Sequence, residues 1–200
     1  TFMFSNNQSY SPSNYNQRYA NKNITMAAAL SYSDNIYAVK THLFLGEDVL
    51  VNTANRMGIQ EKLKPIPSSA LGTSELSMLD FARGYTTLAS GGYKRDITFI
   101  NKIEDMKGNV IYKKNTNNEL VLNKSYTYIL NEMMTSTYNS SFIDYNTPTV
   151  MSIASKISNK YAIKTGSSGT DCWMVGYNPN ILMLVWNGYD DNSELEVKDG

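Results

Sequence analysis

Two short stretches of this sequence carry the hydroxyl, amide and ammonium groups from which catalytic sites are built. Ser33-Asp34-Asn35 sets a hydroxyl and an amide two positions apart, and Lys164-Thr165-Gly166 sets an ammonium beside a hydroxyl, with Ser167 following. Neither identifies a reaction alone. A Ser-x-Asn is expected by chance in about one chain of this length in two, and a given tripeptide in about one in twenty. Standing alone, Ser33 and Asn35 read as capping groups at a helix junction and Lys164 as an exposed lysine at a strand end.

Other chemistries are poorly supplied. His42 is the one histidine and Cys172 the one cysteine, so a multi-histidine metal site, a CxxC knuckle and a disulfide framework are excluded, and no cofactor is expected. His42 falls on a helix with Val39 and Leu43 and reads as packing or surface; Cys172 beside Trp173 reads as a small apolar strand residue. Lysine plus arginine equals aspartate plus glutamate at 18 each, which gives nothing to steer the chain to nucleic acid or an acidic lipid surface. The longest wholly apolar stretch, Ile181 to Trp186, is too short to span a bilayer, so any anchor is expected outside this chain. Thr1 at the start and the polar stretch Glu194 to Gly200 at the end are read as cuts within a longer protein.

The elements that must position these groups follow from pattern. Ser5 to Lys22 is rich in Asn, Ser, Tyr and Gln and reads as loop. Thr25 caps a short helix through Leu30; a second runs from about Asn35 to Gly46 and a third from Glu47 to Met57, so Ser33-Asp34-Asn35 lies at a junction. Leu76, Leu79, Ala82, Tyr85 and Leu88 share one helical face, halted by Gly91-Gly92. Ile97 to Ile103 and Val110 to Tyr112 suggest a hairpin about Lys107-Gly108-Asn109, and a further helix starts at Asn123 or Ser125. Tyr161 to Thr165, Cys172 to Tyr177 and Ile181 to Trp186 make an antiparallel meander. The fold class is therefore α+β, one domain or most of one, with a helical cluster packed on an antiparallel sheet. Its parts are a helical region at 11–92, a hairpin excursion at 93–122, and a helix and sheet at 123–200.

Order and context make the motifs specific. A Ser-x-Asn between helices and a later Lys-Thr-Gly on a sheet-edge strand resemble two of the three motifs shared by penicillin-binding proteins and serine β-lactamases. The stretches Thr25 to Val39, Ser11 to Tyr15, Ala70 to Ala82, Ser90 to Tyr93 and Asp171 to Pro179 are similar to those of class A, bifunctional penicillin-binding proteins, so the likeness runs from about Ser11 to Trp186. Two departures stand out. No Ser-x-x-Lys occurs anywhere, so the acylating serine and its lysine are expected upstream and the domain is incomplete. The segment Ser140 to Ser158 also lacks the glycine-rich turn many relatives carry.

The resemblance implies a D,D-transpeptidase of cell-wall synthesis that forms serine acyl-enzymes with D-Ala-D-Ala stem peptides and is trapped by β-lactams. By the same resemblance Ser33 relays a proton, Asn35 holds the acyl side of the substrate, and Lys164 supplies positive charge. Thr165, Gly166 and Ser167 form the substrate-binding strand, the two hydroxyls taking the terminal carboxylate and the Ser167 N–H half of the oxyanion hole. The parent protein is expected to be membrane-anchored on the extracytoplasmic face and associated with cell-wall machinery, and this chain alone to be inactive. A serine β-lactamase and a non-catalytic β-lactam sensor are the rival readings. Glu119-Leu120-Val121-Leu122-Asn123 fits the Glu-x-x-Leu-Asn pattern of class A β-lactamases but lies far later than they place it, and reads as a strand leading into a helix.

Overall fold

The computed structural model describes residues 1–4, 7 and 9–195. Of the expected loop at Ser5 to Lys22, residues Ser5, Asn6 and Gln8 lie outside this range, as do residues 196–200 of the polar end. The loop is more ordered than its composition suggests: β1 (Phe2–Met3) pairs antiparallel with β2 (Ser9–Tyr10), and a 3-10 turn follows at Tyr15–Gln17.

Three helices follow in quick succession, α1 (Met26–Tyr32), α2 (Asn35–Leu45) and α3 (Glu47–Arg56). Each has a local reason to start. The Thr25 hydroxyl accepts from the Ala28 N–H at the head of the alanine run, the Asp34 carboxylate accepts from the Tyr37 N–H, and Glu47 and Asp48 place negative charge on the first turn of α3. His42 is buried on α2 with Nε2 3.1 Å from the Ile66 carbonyl oxygen, a packing role as the sequence suggested.

The strong amphipathic pattern forms α4 (Met78–Ala89), capped by the Ser77 hydroxyl, so Leu76 lies before the helix. The stop is structural as well as conformational. Gly92 has φ +97°, and a Cβ there would come 2.6 Å from the Leu122 carbonyl oxygen. The Gly92 carbonyl in turn accepts from the Val121 and Leu122 N–H groups, joining the end of α4 to the later strand. Only glycine fits both demands.

β3 (Tyr93–Lys94) pairs with β6 (Glu119–Leu120), and β4 (Lys102–Glu104) with β5 (Val110–Lys113). The expected strand from Ile97 is shortened, because β5 is only four residues long and the pairing ends with the Lys114 N–H donating to the Asn101 carbonyl. The hairpin turns about Asp105, whose carboxylate accepts from the Lys107 and Asn109 N–H groups. Glu119 sits in β6 opposite Lys94, and Asn123 caps α5 (Lys124–Met133), so that stretch is a strand and a helix cap.

The closing meander has the order β7 (Ala162–Ser167), β8 (Asp171–Asn178), β9 (Ile181–Gly188), all antiparallel. α4 and α5 cover one face. Leu88, Met134, Ala162, Val175 and Tyr177 form the core there, with Tyr85, Leu130, Leu182 and Leu184 against it. Phe81 meets Trp173 edge-on at 5.6 Å, and the Tyr177 hydroxyl donates to Asn131 at 2.8 Å, so helices and sheet are tied by apolar and polar contacts. The opposite face is bare on β9, where Ile181, Met183 and Val185 are each more than half exposed. β7 lies at the edge of the sheet, and among the described residues nothing pairs with its outer side.

Candidate active site

The geometry begins at the end of α1. Ser33 donates its N–H to the Leu30 carbonyl and Asp34 donates to Ala29, the paired bonds of a Schellman ending in which the residue just past the helix is left-handed. Glycine usually takes that position. Here it is Ser33, at φ 56° and ψ 48°, while the next residue already caps α2. One left-handed and one extended residue thus make the whole link between two helices, and the Ser33 hydroxyl is fixed at its corner.

Lys164 reaches this corner from β7. Its Nζ donates to Ser33 Oγ at 2.7 Å and to the Thr165 carbonyl oxygen at 2.6 Å. On β7 it faces inward between Ala162 and Gly166, opposite buried Val175 on β8. Burial pushes its pKa down from 10.5 to about 8. Among the described residues no carboxylate forms an ion pair with it. The ammonium is held by two neutral oxygens and lacks a counter-charge, which favours an anion beside it.

The remaining expected residues divide. Thr165 is half-buried on the opposite face of the strand from Lys164, and Gly166 and Ser167 are exposed where β7 runs out. Cys172 Sγ lies 3.9 Å from Ser167 Oγ across the β7–β8 pair. Asn35 is turned elsewhere: its side-chain amide donates to the Ser13 carbonyl oxygen at 2.8 Å. Ser33 and Lys164 are therefore in direct contact, while Asn35 is held by the amino-terminal loop.

Two residues that the sequence did not single out close around the junction. Asn14, buried, accepts from the Asn35 and Ile36 N–H groups through Oδ1 and donates to Asp34 through Nδ2 at 2.7 Å. The Tyr145 hydroxyl donates to the same Asp34 oxygen at 2.8 Å. Burial, then the Asp34 carboxylate, pushes the Tyr145 pKa up. Asn14 falls in the Ser11 to Tyr15 stretch that resembles the family, but nothing in the sequence joins it to Asp34, 20 positions away, and no pattern flags Tyr145, 111 positions from the same residue.

A helix-junction serine touched by an unpaired lysine on the edge strand of an α+β domain defines a class that comparison makes explicit. The chain matches the model of the penicillin-binding protein transpeptidase domain over residues 2–187 and belongs to that family. It is 43% identical over 189 residues to penicillin-binding protein 2D of Bacillus subtilis (strain 168), covering 94% of this chain and 27% of that protein. It is 28% identical to penicillin-binding protein 1A of Rickettsia conorii, covering 94% of this chain and 26% of that one. The chain thus spans about a quarter of the length of the curated relatives it matches.

The fold is that of solved transpeptidase domains. Penicillin-binding protein 1A from Haemophilus influenzae superimposes with a TM-score of 0.85 at 20% identity, covering 96% of this chain and 34% of that one. Penicillin-binding protein A from M. tuberculosis, solved as an imipenem acyl-enzyme complex, gives 0.70 at 18%, covering 93% and 48%. The α+β, β-lactamase-like class expected from the sequence holds.

Proposed function

We propose that this chain is the carboxyl-side part of a peptidoglycan D,D-transpeptidase that acts through a serine acyl-enzyme and is captured by β-lactams. The observation that carries the reading is the 2.7 Å hydrogen bond from Lys164 to Ser33, which joins the Ser-x-Asn and Lys-Thr-Gly motifs in one place. Family membership and the acyl-enzyme described for the M. tuberculosis relative support it.

The reaction assigns each group a task. A serine supplied from outside this chain attacks the carbonyl carbon of the penultimate D-alanine, and the C–N bond to the terminal D-alanine breaks. The departing amine takes a proton through the Ser33 hydroxyl, which a basic group beside the nucleophile replenishes. Lys164, held as an ammonium at neutral pH, steadies Ser33 and attracts the terminal carboxylate, which Thr165 and Ser167 bind. The Ser167 N–H, next to Gly166, faces the oxyanion. Asn35 holds the acyl side once substrate displaces its contact with Ser13. An acceptor amine then takes the acyl group and frees the serine. In this reading the whole protein is anchored to the bacterial membrane, works on its outer face and meets cell-wall synthesis machinery.

The test is covalent labelling by a fluorescent penicillin. The product of the whole gene should form a long-lived adduct, and Lys164→Ala should slow its formation roughly a hundredfold or more. Residues 1–200 alone should stay unlabelled. An adduct that hydrolyses within seconds would make the protein a β-lactamase, and labelling that ignores Lys164→Ala would remove the lysine from the site.

A further inference from the structure

We propose that Asn14 and Tyr145 are positioning residues for the acylation site: they anchor Asp34 and thereby hold Ser33 in its left-handed conformation. This rests on the transpeptidase reading above. The starting observation is backbone strain. A non-glycine residue at φ 56° is disfavoured by the contact of its Cβ with the backbone and persists where its surroundings over-determine it.

The surroundings here are specific. The Asp34 carboxylate, 7% exposed, takes three donors: the Tyr37 N–H on one oxygen, and Asn14 Nδ2 and the Tyr145 hydroxyl on the other. Asn14, 5% exposed, uses both ends of its amide. Nδ2 also reaches the Arg18 carbonyl, and Oδ1 takes the Asn35 and Ile36 N–H groups, two donors of the first turn of α2 that have no partner within that helix. Tyr145 is fixed in turn by its ring, which meets Tyr32 of α1 edge-on at 4.9 Å.

The residues on both sides of Asp34 are thus pinned, Asn35 from outside the helix pair and Ser33 by α1 itself. Asn35 is held at its N–H by Asn14 and at its side chain by Ser13. Ser33 is held through the Schellman bonds of its own and the Asp34 N–H groups. If the clamp loosens, the backbone at Ser33 can leave the left-handed well, and its hydroxyl swings from Lys164. The lysine would stay where β7 puts it. Acylation should suffer through the chemical step, because a misdirected relay slows proton transfer without touching the carboxylate-binding strand.

The experiment uses the whole gene product and stopped-flow labelling with a fluorescent penicillin, separating the noncovalent dissociation constant from the first-order acylation rate. Tyr145→Phe, which keeps the ring against Tyr32, and Asn14→Ala should each lower the acylation rate about tenfold, with the dissociation constant within about twofold, as expected for loss of a hydrogen bond to a charged group. Asn14→Asp keeps an acceptor for the Asn35 and Ile36 N–H groups but sets a second carboxylate against Asp34 and against the Arg18 carbonyl, so it should slow acylation at least as much as Asn14→Ala. Equal rates in wild type, Tyr145→Phe and Asn14→Ala would overturn the proposal, as would a loss confined to the dissociation constant, or a loss no larger than that caused by Asp80→Asn, which lowers Tm away from the site. Failure of the unsubstituted protein to label at all would sink the transpeptidase reading instead, and the positioning proposal with it.

Discussion

Lys164 is where sequence, burial and chemistry meet in a single side chain. Its ammonium is half-buried and lies against Ser33 Oγ, and its pKa falls to about 8 because the site withholds water from the charge. The sign follows directly. Below about pH 8 the group is a cation that attracts a carboxylate; above it the proton is lost and the attraction goes. A bound carboxylate opposes that loss, so the effect belongs to the free protein. The second-order rate of acylation by a penicillin should therefore fall as pH rises through about 8, and the methyl ester of the same penicillin should lack that limb. Parallel profiles for acid and ester would remove Lys164 from carboxylate recognition. Ser33 and Lys164 were legible in the sequence because two short motifs in order point at each other. Asn14 was legible only as one residue of a family-like stretch and Tyr145 not at all, because the hydrogen bonds that give them meaning span loops with no pattern of their own.

Elements were legible where a single local cause sets them. α4 follows from its apolar stripe and a glycine stop, α5 from Asn123 as cap, and the meander from apolar runs broken at Asn178-Pro179-Asn180. The strand expected from Ile97 was overestimated, because β propensity cannot announce the length of a partner. The same limit hid a buried charge at the head of α4. Asp80, 1% exposed, accepts from the Gln60 and Glu61 N–H groups and from Arg83, fastening the segment after α3 to α4. Burial raises its pKa, yet the Glu61 N–H, Arg83 and the Gln60 N–H together hold it below the ordinary carboxylate value. Its contribution is thus complete above the usual carboxylate range and is lost as pH falls through the lowered folded value. Asp80→Asn puts an amino group against two N–H donors and should cost about 2–4 kcal/mol. It should also lose part of the acid dependence of Tm. A Tm unchanged at pH 7 would contradict this.

At the scale of the molecule, β9 carries apolar residues on both faces, a pattern that belongs to strands covered on two sides. One side meets α4 and the core; on the other Ile181, Met183 and Val185 are open. If this chain belongs to a longer transpeptidase, parts outside it cover that face. Met183→Lys with Val185→Lys should then suppress self-association of residues 1–200 while leaving Tm nearly unchanged. In the whole protein the same pair should destabilise by about 3 kcal/mol or more, since two side chains lose burial at about 1.5–3 kcal/mol each. Equal tolerance in both contexts would show the face to be free in the whole protein too.

The bond from Lys164 to Ser33 joins residues 131 positions apart, and this separation has a kinetic meaning. The helices α1 and α2 are built from neighbours and form early, whereas the lysine arrives only after the meander has paired and docked on α4. During synthesis Ser33 emerges long before Tyr145 and Lys164, so neither the clamp on Asp34 nor the charge beside the Ser33 hydroxyl is yet in place. In the transpeptidase reading, competence for acylation would then be acquired late in folding, and a nascent chain bearing the helix junction would as yet have nothing with which to grip a carboxylate.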